Sequence, residues 1–448
     1  QVAISGGTPL DSEFLTLISD GSFTKPKPDS CSASLSLPRL LTSAADRMQG
    51  SHLRSMAFSR ELVAELPSLL VSFLVSGEDR VVPVYASGTQ VLRKLQEKSE
   101  STKQGYPAMY SSVVGGIILD PSMMVIPIDD HMVHRGHGVF DTATISDGLT
   151  VLSARLIHFT SFLNLLMIYS DTISCLNSES DIGYCDSVSS YLYELDSHLD
   201  RLLVSASKAK IDPPFPRETL REILLQMTAA SGCKNGSIKY WLSAGPGDFL
   251  LSPKGCTGSA FYAIVVAAAA TTGSRHKDGG VKAITATVPM KHPFFAGIKS
   301  VNYLPNALAM AEAEERGAFA SVWVDEDGYV AEGPTMNVAF VTTGGDLVLP
   351  AFDRILSGCT AKRILALAPE LVGAGLLRSV RDARISADEA RQCAEMMFLG
   401  SGLPLLPVVE WDGQPVGDGR VGRISLALSD MLRDDIKSGP DRIPVPYS

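Results

Sequence analysis

"GIKSVNYLPNALAMAEAEERG" runs from Gly297 to Gly317. From Pro305 onward its Ala, Leu, Met and Glu residues pattern as a helix that Gly317 closes. Just ahead of that helix, Lys299 stands between Ile298 and Val301 in a segment of interior character. Lysines ordinarily occupy solvated faces. One withdrawn from water has a lowered pKa, and its free amine becomes available for covalent chemistry with carbonyl compounds. The stretch therefore asks which fold would bury a lysine at the start of a helix.

Composition narrows the classes. With 448 residues, 45% hydrophobic and 20% charged, the chain is long enough for two or three domains with substantial cores. A net charge of −10 disfavours nucleic acid and anionic membrane as partners and favours small-molecule chemistry. Seven cysteines (31, 175, 185, 233, 256, 359 and 393) form no C-x-x-C pair, so neither a zinc ribbon nor a dithiol redox motif is signalled, and a reducing compartment is expected.

Three regions follow. Residues 1–104 read as an N-terminal extension, serine-rich and basic from Ser22 to Arg60, the composition of an organellar transit peptide. Residues 105–270 read as a small α/β domain. There "GVFDTATI" predicts a strand, Asp147-Gly148 a hairpin turn, and "YLYEL" from Tyr191 the returning strand. Leu149–Ser190 is then an insertion at the hairpin tip, too interrupted to span a bilayer, and translated intron is our first reading of it. Two helices come next, "DSHLDRLLVSASKAKI", with a capping-box start at Ser197/Asp200, and "PRETLREILLQMTAASG", ended by Gly232. A linker near 270–280 leads to a larger domain over 275–440 that mixes strands with the helices "PNALAMAEAEERG", "TAKRILALAPELVGAG" and "SADEARQCA". No internal repeat is present.

Three further stretches hold residues that could carry chemistry. Glu332 falls where the strand after the Asp327-Gly328 turn breaks at Gly333-Pro334. Gly358 and Thr360 stand at a helix start, where free backbone N–H groups and the helix dipole favour a phosphate. Arg201 lies among leucines on an amphipathic helix, and its planar fork suits bidentate phosphate binding as well as simple snorkelling to water.

In this order, "HLDRL", "IKSVNYLPN", "AEGPTMNV" and "LSGCTAKR" resemble the fold-type IV family of pyridoxal-phosphate enzymes, which includes the D-amino-acid and branched-chain transaminases and aminodeoxychorismate lyase. The resemblance covers about Tyr106 to Gly439 apart from the insertion. "DDHMVHRGHGVFDTA" and "YWLSAGPGDFLL" look most like the plant chloroplast D-amino-acid transaminase branch. It implies a two-domain α/β fold of mixed sheets with pyridoxal 5′-phosphate between the domains, a homodimer, and a chloroplast or otherwise cytoplasmic location. Lys299 would bind the cofactor through its amine and later move the proton between substrate α-carbon and cofactor. Glu332 would pair with the pyridine nitrogen. Arg201, with Gly358, Cys359, Thr360, Ser401 and Gly402, would hold the phosphate.

The same resemblance implies transfer of the amino group of a D-amino acid to a 2-oxo acid such as 2-oxoglutarate or pyruvate. The alternatives are the lyase reaction, which makes p-aminobenzoate and pyruvate, and an isoform inactivated by the insertion. Bacterial D-amino-acid transaminases have tyrosine at the position of Phe140 and arginine at that of Ala244. Both are absent here, which leaves Lys239, Arg135 or His137 to hold the substrate carboxylate, with Phe140 shaping the pocket. His131, His134 and His137, three apart, would share a face only on a helix, and with no fourth ligand nearby no metal site is expected.

Overall fold

The computed structural model describes residues 87–101, 105–147, 190–268 and 279–447. The basic N-terminal stretch, all of the insertion but Ser190, and most of the 270–280 linker lie outside the described residues. Both sheets and the cavity between them belong to one compact unit, Leu92–Ser448.

The first sheet is antiparallel throughout. It comprises β1 (Ala108–Ser111), β2 (Gly116–Ile118), β3 (Gly138–Asp147), β4 (Ser190–Tyr193), β5 (Gly236–Ser243), β6 (Ala260–Ala267) and β15 (Arg442–Pro444), in the order β15-β4-β3-β5-β6-β1-β2. The predicted hairpin partners are paired as expected, with Thr144 opposite Tyr193 and Asp147 opposite Ser190. Alternation along β3 gives it two faces. Val139, Asp141, Ala143 and Ile145 are buried on one, and Phe140 and Thr142 are half-buried on the other.

Helix Leu195–Lys208 packs on the buried face, burying Leu195, His198, Leu199, Leu202, Ser205 and Ala206, the spacing of an amphipathic stripe. The capping box expected at Ser197/Asp200 is not formed. The helix begins three residues earlier, from Glu194 in the left-handed region (φ 52°) with no side-chain cap, which places Ser197 inside the first turn. The second helix, Arg217–Ser231, ends at Gly232 (φ 64°) as its sequence predicts.

The second sheet is mixed. It holds β7 (Val281–Thr285), β8 (Ala320–Val322), β9 (Asn337–Val341), β10 (Asp346–Leu349), β11 (Ser379–Asp382), β12 (Glu395–Leu399) and β13 (Leu405–Trp411), ordered β11-β10-β9-β12-β13-β7-β8, with β14 (Gln414–Pro415) paired to β13. Strands β9 and β12 are buried at every position, as strands covered on both faces must be. "TAKRILALAPELVGAG", read as one helix, forms two, Cys359–Leu367 and Pro369–Gly373. Pro369 lacks the N–H and clashes with the carbonyl four residues back, so the first helix stops before it.

Candidate active site

A cavity of about 390 Å³ opens between the sheets, with Phe140 and Lys239 from the first and Asn337 and Leu399 from the second among its walls. The segment before helix Leu304–Glu315 crosses this gap. It lies along β3, where Phe140 N–H donates to Lys299 O at 2.9 Å, Val301 N–H to Gly138 O at 3.0 Å, and Ser300 bridges to Val139. Lys299 N–H donates to Ser205 Oγ of helix Leu195–Lys208 at 3.2 Å. The backbone on both sides of the lysine is thus pinned and its side chain directed into the cavity, with Nζ 4.8 Å from the Phe140 ring centroid. Burial, with Arg201 close by, pushes its ammonium below the usual lysine range.

Glu332 is held on the opposite arm by the hairpin around Gly328, where Trp323 N–H donates to Glu332 O and Ala331 N–H to Trp323 O, both at 2.9 Å. Its carboxylate is buried and accepts from Leu356 N–H at 3.2 Å. Burial pushes it up to about 7, against the pull of Lys291 and then of Lys299. No cation is hydrogen-bonded to it among the described residues.

At the remaining wall helix Cys359–Leu367 begins, capped by Gly358 with no side-chain bond. Its first N–H groups therefore stay available at the cavity. A Cβ at Gly358 would sit 1.9 Å from Asn337 Oδ1, so only glycine lets the backbone approach so closely. Arg201 comes in from the first sheet's helix, donating to both oxygens of buried Asp141 and, at 3.4 Å, to Ser357 O. His198, one turn before Arg201, places Nδ1 2.8 Å from Asp141 Oδ1 and Nε2 3.5 Å from Ser401 Oγ. Burial alone would discharge His198, but Asp141 outweighs it and the imidazole is pushed up to about 9. Asp141 itself, despite burial, is held well below the carboxylate range by Arg201 and His198.

Of the positions singled out in the sequence, Lys299, Glu332, Arg201, Gly358, Cys359, Thr360, Ser401, Gly402, Phe140 and Lys239 all line this cavity. His137 and Arg135 do not. Nε2 of His137 is 2.8 Å from Ala209 O, and Arg135 is tied to His134 O at 3.0 Å and to Phe249 O. The three histidines flank or occupy a five-residue helix, His131–Arg135, and no group of three His, Cys, Asp or Glu among the described residues could hold a metal.

Asp141, His198, Tyr303, Asn306 and Lys291 were not singled out. Two carried a readable signal: His198 precedes Arg201 by one helical turn, and Asp141 is an acid at an inward position of an apolar strand. Tyr303 packs edge-on to Phe140 at 5.1 Å, and burial raises its phenol.

Residues 187–411 match the model of the family described as amino-transferase class IV. The D-amino-acid transaminase, chloroplastic, of Arabidopsis thaliana is 49% identical over 347 residues, 77% of this chain and 81% of that one. The chain is a class IV aminotransferase. D-alanine aminotransferase of Bacillus licheniformis is 27% identical, over 55% of this chain and 84% of its own. Among solved structures, the branched-chain amino acid aminotransferase from Thermobaculum terrenum in its PLP form superposes with a TM-score of 0.61 at 18% identity, covering 77% of this chain and all of that one. The class IV aminotransferase fold is thereby matched, two sheets and all.

The walls suit the family's cofactor, pyridoxal 5′-phosphate. A buried carboxylate without a hydrogen-bonded cation calls for a protonated ring nitrogen, and an uncapped helix start beside Arg201 and cationic His198 calls for a phosphate. Asn306 Oδ1, buried in the same wall with no donor, is a further sign of a ligand-filled space.

Proposed function

We propose that this class IV aminotransferase transfers the amino group of a D-amino acid to a 2-oxo acid, using pyridoxal 5′-phosphate. The observation that carries the reading is the meeting of Lys299, Glu332 and the Arg201–Gly358 wall in one cavity, in a chain 49% identical to a D-amino-acid transaminase. When bound, the cofactor supplies the electron sink that lets the substrate's α-C–H bond break.

The chain's own residues do the rest. Arg201, Ser401 and the N–H groups of Cys359 and Thr360 would bind the phosphate and fix the ring's position, with His198 adding positive charge from behind Ser401. Glu332 would keep the ring nitrogen protonated, since a carboxylate that burial pushes up to about 7 against its neighbours' pull is stabilised as an anion when a cation meets it. Lys299, depressed by burial, holds the cofactor through its amine and afterwards takes the α-proton as a general base. Phe140 and Tyr303 wall the amine and keep water from it.

A homodimer and a chloroplast location are part of this reading, supported by the family and by the chloroplastic relative. No helix among the described residues is long and apolar enough to cross a membrane. The test is incubation of the purified, cofactor-loaded chain with D-alanine and 2-oxoglutarate. Pyruvate and glutamate are expected, and their absence, with release of p-aminobenzoate from aminodeoxychorismate instead, would replace transamination by the lyase reaction.

A further inference from the structure

An amino or oxo acid brings a carboxylate into the cavity, and a carboxylate leaving water needs a cation to meet it. Phe140 and Ala244 supply none. Four cationic side chains line the cavity: Arg201, Lys239, Lys291 and Lys299. Arg201 is committed to Asp141 by two hydrogen bonds. Lys299 is the reacting amine, and a group that must shed its proton cannot also be the fixed counter-charge.

Lys239 and Lys291 remain. Lys239 is an outward position of β5, opposite Thr142, and is exposed. Lys291 is half-buried, with Nζ 4.8 Å from the centroid of Tyr303, the ring that also lies 6.0 Å from Lys299 Nζ. Among the described residues no carboxylate is hydrogen-bonded or ion-paired to it. Glu332 acts on it only through space, while that carboxylate's hydrogen bond comes from Leu356 N–H. Its charged neighbours are Glu332 and Lys299, whereas Arg201, Asp141 and His198 gather at the helix start. Lys291 thus shares the Tyr303 ring with the reacting amine.

A half-buried ammonium without an ion-pair partner is unfavourable, and it is explained by an anion that arrives as ligand. We propose that Lys291 is the side chain that receives the substrate carboxylate, and so fixes which face of the α-carbon is turned to Lys299. The inference rests on the transaminase reading for the identity of the anion. Burial, which pushes the Lys291 ammonium down, agrees with it, because an incoming carboxylate reverses that push.

The experiment compares wild type, Lys291→Gln, Lys291→Arg and Lys239→Gln, each as the full chain loaded with pyridoxal phosphate. Calorimetry gives the dissociation constant of propionate, a carboxylate with no amine to react. Kinetics give kcat/KM for D-alanine and for D-alaninamide, which lacks the carboxylate. Loss of one charge-assisted contact is expected to weaken propionate binding and D-alanine turnover roughly 10- to 100-fold in K291Q. D-alaninamide should change little, and K291R should recover most of the D-alanine loss.

Equal losses for both substrates with propionate binding intact would overturn the proposal and leave Lys291 as a modulator of Glu332. The same holds if K239Q, and not K291Q, produces the loss, or if wild type binds no propionate. Lys291-dependent binding of propionate in a chain that transaminates nothing would uphold the anion site and reject the proposed function.

Discussion

Asp141 accepts twice from one guanidinium, Arg201 Nε to Oδ2 at 2.9 Å and Nη2 to Oδ1 at 2.7 Å, and also takes His198 Nδ1 at 2.8 Å. Its side chain is fully buried. One carboxylate therefore orients two cations toward the start of helix Cys359–Leu367. Asp141→Asn keeps the shape but removes the charge and turns an amide NH₂ toward donors. Breaking such a buried group is expected to cost about 3–5 kcal/mol of stability, read as a lowered urea midpoint. The cofactor dissociation constant should rise at least about tenfold, because Arg201 loses its fixed orientation.

Lys299→Ala removes the amine on which covalent cofactor binding and proton transfer both depend. The loaded wild type should absorb at the visible edge of the ultraviolet, and the variant should lose that band. Turnover of D-alanine is expected to fall by at least about 10²–10⁴-fold, the contribution of a positioned acid-base group. The urea midpoint should hold or rise, since a buried amine whose charge burial disfavours is replaced by methyl.

Strand β3, its delayed partner β4 and the helix that follows Lys299 were legible in the sequence because each is written in local periodicity and turn residues. The second sheet's order was not. Pairings such as β13 with β7 bring Val408 beside Val281, and nothing local encodes a contact at that separation. The site divides the same way. Lys299, Glu332 and Arg201 stand out as charges in apolar surroundings. Asp141 is marked as an acid at an inward strand position, but its role comes from Arg201, 60 residues away, and that pairing is not local. His137 and Arg135 are cationic candidates for the substrate carboxylate in the sequence, where the family's tyrosine and arginine are absent. The turn at Gly136 (φ 67°) and the reversal into β3 direct them away from the cavity.

His198 yields a pH dependence. Its folded pKa, about 9, exceeds the ordinary histidine value of 6.5. Below 6.5 folded and unfolded chains both hold the proton and the His198–Asp141 pairing contributes fully. Between 6.5 and 9 the folded chain binds more protons than the unfolded one, so stability falls as pH rises. Phosphate affinity should weaken over the same rise toward pH 9 and beyond, as one of two cations at the helix start is discharged. In His198→Gln the urea midpoint should lose this alkaline slope, and cofactor titration at pH 7 and pH 9.5 should give nearly equal constants.

Glu332 behaves in the opposite sense to an ordinary paired carboxylate. In cofactor-free protein burial raises it from 4.5 to about 7. From pH 4.5 to 7 the unfolded chain ionises while the folded one keeps its proton, so stability declines across that window, by about 2–3 kcal/mol from a shift of this size. Bound cofactor brings a cationic ring nitrogen to the carboxylate and should flatten the decline. Glu332→Gln should remove this share of the decline in the cofactor-free protein, so the urea midpoint falls less between pH 4.5 and 7 than in wild type. The loaded variant should turn over D-alanine about 10²–10³-fold more slowly, since an amide cannot hold the ring nitrogen's charge. A cofactor-free wild type whose midpoint rises from pH 4.5 to 7 would mean that Lys291 already pairs with Glu332 strongly enough to keep it ionised.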